Sequence, residues 1–112
     1  MSARGEAGLW LAQRVSAAVL AICVAVHLAT MITAVRGGLT AADMLERTQG
    51  NPGWGAFYGV FVVAVSIHAP IGLRTVASEW LDWRGRGADT ACVIVALVLL
   101  FLGGRAIGAV TI

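Results

Sequence analysis

The chain holds two histidines, His27 in V-A-V-H-L-A-T-M and His68 in V-S-I-H-A-P-I-G-L-R, and both stand inside long apolar runs. An ionisable ring at membrane depth is costly, and it normally marks a proton relay, a hydrogen bond between helices or a ligand position. At helical spacing His68 has Ala64 one turn before it and Gly72 one turn after, with Val65 and Thr75 on the same face. A face that flat leaves room for a planar macrocycle, and paired imidazoles commonly hold a low-spin haem between membrane helices. Small residues serve plain helix packing equally well. Arg74, six residues past His68 and about 9 Å along the helix rise, tips the balance toward ligation, since a haem propionate there would need a cation. Its alternative role is snorkelling to the lipid headgroups.

These residues must be positioned by elements that cross a membrane. The chain has 112 residues, 59% of them hydrophobic and 12% charged, with a mean hydropathy of +0.85. An ordinary soluble domain has about 45–50% apolar and about 25% charged residues. A soluble chain of this length could not hide so much apolar surface. The apolar runs cover Leu9 to Val35, Ala56 to Ala77 and Thr90 to Ile112, and each reaches the roughly 20 residues a helix needs to cross the hydrocarbon core. Helices are required there because lipid cannot satisfy open backbone groups. The expected architecture is all-α: one domain over residues 1–112, a bundle of three transmembrane helices. The first run, interrupted by Arg14, Ser16 and His27, is too long for a cleaved signal peptide.

The connections, Arg36 to Gly55 and Ser78 to Asp89, carry the Gly, Pro and charge of aqueous loops. Within the first, L-T-A-A-D-M-L-E-R predicts a short surface helix capped by Thr40, with Asp43 near its positive end. All eight basic residues are arginines. Arg4, Arg14, Arg84 and Arg86 fall on the side of the N-terminus, Arg36 and Arg47 on the other, and Arg105 near the far end of the third helix, so the positive-inside rule expects a cytoplasmic N-terminus. Trp10, Trp80 and Trp83 would then mark one interface and Trp54 the other.

With Trp10 and Trp80 at one interface, His27 lies about 26 Å from it and His68 about 18 Å. A mismatch of about 8 Å speaks against both rings gripping one haem within a single chain. It suits two haems at different depths, each completed by a partner subunit. For His27, whose neighbours one turn away are Cys23, Thr30 and Met31, a hydrogen-bonded structural role and a proton relay remain alternatives. Cys23 and Cys92 have no C-x-x-C spacing for zinc or a cluster and read as packing residues. Nothing suggests nucleic acid as a partner, since no basic patch is interleaved with aromatics.

Two segments resemble a known family, the cytochrome b membrane-anchor subunits of succinate dehydrogenase and fumarate reductase. S-I-H-A-P-I-G-L-R-T-V-A-S-E-W, Ser66 to Trp80, looks like that family's second helix, and Q-R-V-S-A, Gln13 to Ala17, is similar to its H-R-x-S-G signature. The resemblance covers nearly the whole chain. It implies His68 as the ligand of haem b iron, with Gly72 and Arg74 beside the haem. Arg14 and Ser16, with Glu79-Trp80 in place of the family's frequent Asp-Tyr, would then be quinone-site residues. His27 resembles the additional helix-one ligand of two-haem members, with Arg36 or Arg105 near the distal propionates. Three residues depart from the pattern: Gln13 replaces the usual histidine, Trp10 stands where a quinone-binding serine is frequent, and Trp80 has an indole N–H in place of a phenol.

The resemblance implies one or two haems b, quinone as substrate, and electron relay within a complex of the bacterial plasma membrane. Its partners would be a flavoprotein subunit, an iron–sulfur subunit, and a second membrane anchor, similar or identical. Dicarboxylate chemistry is not expected of this chain, which has no dinucleotide glycine fingerprint and no cysteine set for a cluster. The rival readings are the anchor of another membrane cytochrome b complex, and a small assembly or transport subunit without haem.

Overall fold

Ser2 opens the first helix, its side chain accepting a hydrogen bond from the Gly5 N–H at 3.1 Å. From there α1 runs over Ala3–Arg36 in this computed structural model, which describes residues 2–112. At 34 residues it exceeds the roughly 20 needed to span the hydrocarbon, so at least one end projects into water or the helix tilts. It stops at Gly37 and Gly38, the latter at φ +66, a conformation open to glycine without steric cost.

The short helix α2, Ala41–Thr48, forms where the L-T-A-A-D-M-L-E-R segment predicts it. Its N-terminus carries a complete capping box: the Asp43 N–H donates to Thr40 Oγ1 at 3.2 Å, and the Thr40 N–H donates to Asp43 Oδ2 at 2.8 Å. The bond from the Thr40 backbone, followed by that from its side chain, holds the Asp43 carboxyl below its ordinary acidity range. A depressed folded pKa means that this cap contributes fully above the unfolded carboxylate range and is lost as pH falls through the folded value. We therefore expect a carboxyl-carbon NMR titration to give Asp43 a midpoint below that of an aspartate in an unstructured peptide, with the α2 amide shifts moving alongside it. Equal midpoints would refute the cap's contribution.

Asn51 caps α3, accepting from the N–H groups of Gly53 and Trp54, with Pro52 at the first helical position. The helix covers Pro52–Trp80 and includes Pro70, which has no N–H to give the Ser66 carbonyl. A tight connection follows, with Asp82 at φ +51 and Gly85 at φ +93, before α4 covers Arg86–Thr111. Among the described residues there are no strands, and α1, α3 and α4 are each long and apolar enough to cross a membrane. The helices outrun the expected spans at most ends because hydropathy marks only the lipid-facing stretch, and the residues beside it continue the helix. Asn51-Pro52 starts α3 ahead of Ala56, and α4 takes in Gly87, Ala88 and Asp89 ahead of Thr90.

The middle helix is α3: α1 packs on one side of it, α4 on the other, and α2 leans on α4. Buried residues are all small or compact, namely Ser16, Cys23, Ala34, Ala64, Ser66, Pro70 and Ala88. Membrane helices associate through such residues because lipid already surrounds the large aliphatic ones. Leu97 and Phe101, for example, are 61% and 63% exposed. α4 packs tightly on α3 at Gly103, where an added Cβ would lie 2.5 Å from Val62 Cγ1. Cys23 and Cys92 are both unpaired.

Candidate functional site

Antiparallel packing of α1 on α3 brings Ser16 opposite His68. The Ser16 hydroxyl donates back to the Gln13 carbonyl at 3.1 Å, and its oxygen lies 3.4 Å from His68 Nδ1. Gln13 fills the space beside Gly72: a Cβ on that glycine would lie 3.4 Å from Gln13 Nε2. The clearance read from the sequence is thus occupied by a side-chain amide. Gln13 Oε1 is buried and has no hydrogen-bond partner among the described residues. Gln13, Ser16, His68 and Gly72 form one polar patch in an apolar seam.

Farther along the same seam His27 meets Tyr58 and Phe61 edge-on, with ring centroids 6.0 and 5.8 Å away and both planes at 82°. Its Nδ1 is buried without a protein partner. The ring borders a cavity of about 530 Å³ lined by apolar groups such as Met31, Val65, Leu102 and Ile107, with Met44 and Leu45 of α2 along one side. That volume falls within the range of ligand sites, roughly 300–1,000 Å³. Tyr58 and Phe61 did not emerge from the sequence reading. Their spacing of three residues on an aromatic-rich turn was the available signal.

The pairing also resets the depths. His68 faces Ser16, so the stretch from Ser16 to His27 separates the two rings by about 16 Å of helix rise. The expected 8 Å rested on placing Trp10 and Trp80 at one level. Trp80 lies about 18 Å beyond His68 and Trp10 about 9 Å beyond Ser16, so the two differ in depth by about 9 Å. The fault lay in equating interfacial tryptophans with a common plane, when register between helices is set by side-chain contact.

Other expected site residues scatter. Arg74 pairs with Asp89 at the start of α4, Nε to Oδ1 at 3.0 Å, with 31% and 50% of the two side chains exposed. Arg14 lies over the Trp10 ring, 5.4 Å from its centroid. Glu79 and Trp80 are exposed, and by the same register Trp80 stands about 15 Å along the axis from Arg14. Ser16, expected at the quinone beside Arg14, is 5% exposed and turned toward α3. At the opposite end Arg105 stacks on Phe101 at 6.0 Å, and Arg36 closes α1.

The donor set suits a haem better than a bare ion. Among the described residues no three His, Cys, Asp or Glu side chains gather into a metal cage, and neither histidine is in an ion pair. A macrocycle brings four of its own ligands and asks the protein for a single axial nitrogen at each face. Two isolated imidazoles, one of them beside an apolar cavity, fit that demand.

Three antiparallel apolar helices with a short amphipathic helix at one end define a small multi-pass membrane protein. The match narrows this further: residues 1–104 match the succinate dehydrogenase/fumarate reductase transmembrane subunit family, and the chain belongs to that family. The chain is 29% identical over 96 residues to the succinate dehydrogenase hydrophobic membrane anchor subunit of Archaeoglobus fulgidus, a match covering 85% of this chain and 81% of that one. No solved structure matches it. The chain is thus a membrane-anchor subunit of the succinate dehydrogenase/fumarate reductase type.

Proposed function

We propose that this anchor binds haem b through His68 and relays electrons between an iron–sulfur subunit and membrane quinone, in a complex that also contains a flavoprotein and sits in a bacterial plasma membrane. The observation that carries the reading is the pair of imidazoles on the α1–α3 seam, free of carboxylate partners and set in apolar surroundings. When bound, haem supplies one-electron redox chemistry whose potential is set by axial ligand, hydrogen bonding and burial. His68 would hold the haem iron through an imidazole nitrogen. Arg74 uses Nε on Asp89, and its other guanidinium N–H groups remain for a propionate. Arginines concentrate at the N-terminal end of the bundle, which is assigned to the cytoplasm and to the docking iron–sulfur subunit.

His27 is assigned to a second haem at the other depth. Its buried, unpartnered Nδ1 and the 530 Å³ cavity beside it favour that role over a helix-bridging hydrogen bond. Since the rings are about 16 Å apart along the axis, one chain would hold each haem through a single histidine, and a second anchor chain, similar or identical, would complete each site.

Quinone is assigned to the N-terminal end, where Arg14 donates to a carbonyl oxygen beside the Trp10 ring. Trp80 and Glu79 stand too far along the axis to meet that quinone together with Arg14, and a second anchor chain in the same membrane orientation keeps the same offset, so they are left out of this assignment. Arg14→Leu in the purified complex is expected to lower quinone reduction about ten- to a hundredfold, the loss of a charged hydrogen bond of about 1.5–3 kcal/mol. Reduction of an artificial dye by the flavoprotein should hold. Equal losses in both assays point to failed assembly, an unchanged rate of quinone reduction contradicts the Arg14 assignment, and a wild-type complex with no haem in a pyridine haemochrome assay contradicts the haem reading.

A further inference from the structure

We infer that Ser16 is a positioning residue for His68: its hydroxyl oxygen accepts from Nδ1–H and so leaves Nε2 as the lone-pair nitrogen that meets iron. The inference rests on the haem reading of His68 and deepens it.

A serine hydroxyl has one proton to give and two lone pairs to receive with. Two groups compete for that proton, the Gln13 carbonyl at 3.1 Å and His68 Nδ1 at 3.4 Å. A carbonyl can only accept, and it is the nearer, so the proton points to Gln13. Ser16 then faces His68 with lone pairs alone. For this contact to be attractive, Nδ1 must carry the imidazole proton, and in a neutral ring the other nitrogen is then bare. The reverse tautomer would set two lone pairs against each other and cap Nε2 with a hydrogen. At 5% exposure, Ser16 leaves little room for water to take over its role.

The contact at 3.4 Å is long for a hydrogen bond. Its effect is therefore on ring orientation and tautomer more than on stability. A hydrogen bond from the far nitrogen of a ligating histidine raises the basicity of the ligating one. Removing the acceptor makes Nε2 a poorer donor to iron and leaves a buried N–H without a partner.

In the purified complex, Ser16→Ala is expected to keep its haem while the midpoint potential of the His68 haem moves to more positive values and its low-spin EPR signal broadens. Ser16→Thr, which keeps a hydroxyl, should restore both. A structural role alone would lower thermal stability and leave potential and line shape unchanged, and that result overturns the inference. If Ser16→Ala does not assemble, ¹⁵N shifts of isotope-labelled histidine in the wild-type complex decide it: a proton on Nδ1 of His68 supports the inference, and a proton on Nε2 overturns it. Absence of haem from the wild-type complex is a separate outcome. It removes the haem reading, while the ¹⁵N shifts still report which nitrogen holds the proton.

Discussion

Alanine at position 68 is expected to strip haem b from the complex or leave it high-spin, with the reduced α-band lost or shifted in proportion. No other imidazole reaches that level of the seam, because His27 is about 16 Å away along the axis and locked edge-on against Tyr58 and Phe61. Compensation by the remaining histidine is therefore excluded by geometry. The companion variant His27→Ala should delete one of two components in a redox titration while the other titrates nearly as before. Reduced spectra and haem-to-protein ratios measure both. An unchanged spectrum and stoichiometry in His68→Ala would defeat the assignment of haem to His68. One haem in the wild type, with His27→Ala altering only stability, would return His27 to helix packing.

Gly103→Val is expected to be strongly destabilising. A Cβ at this position would lie 2.5 and 2.8 Å from the two γ-carbons of Val62, closer than real side chains approach. The clash sits in helix-to-helix contact, so α4 must shift away from α3. Overpacking of this kind costs about 1–3 kcal/mol or more, and Gly103 also borders the cavity beside His27, so the displacement reaches the proposed second haem. The adjacent Gly104 provides the control, since a Cβ there meets nothing within 4 Å. Thermal unfolding in detergent should show a clear loss for Gly103→Val and almost none for Gly104→Ala. Equal losses would mean that helix propensity or lipid contact matters more than the Val62 contact.

Three spans, an amphipathic connector and its Thr40 cap were legible because each follows from local composition and capping chemistry. The two histidines likewise announced themselves through the cost of placing an imidazole among Val, Ile and Ala. Register was not legible. Trp10 and Trp80 offered a plausible common plane, yet the contact of Ser16 with His68 slides α1 along α3, and no periodicity within either helix encodes that slide. Partner choice for polar groups was hidden for the same reason. Arg74 is met by Asp89 from across a tight turn, Ser16, on a different face of α1 from Arg14, meets His68, and the aromatic wall of Tyr58 and Phe61 gains meaning only once α1 lies against it.

The largest of the buried side chains are still small, and α3 stands between two helices that scarcely meet. Such a chain holds little of its cohesion within itself; most of its broad aliphatic surface is finished by whatever lies alongside. In a bilayer that finish is supplied by lipid, so the small residues of the α1–α3 and α3–α4 seams decide how firmly the three helices hold together.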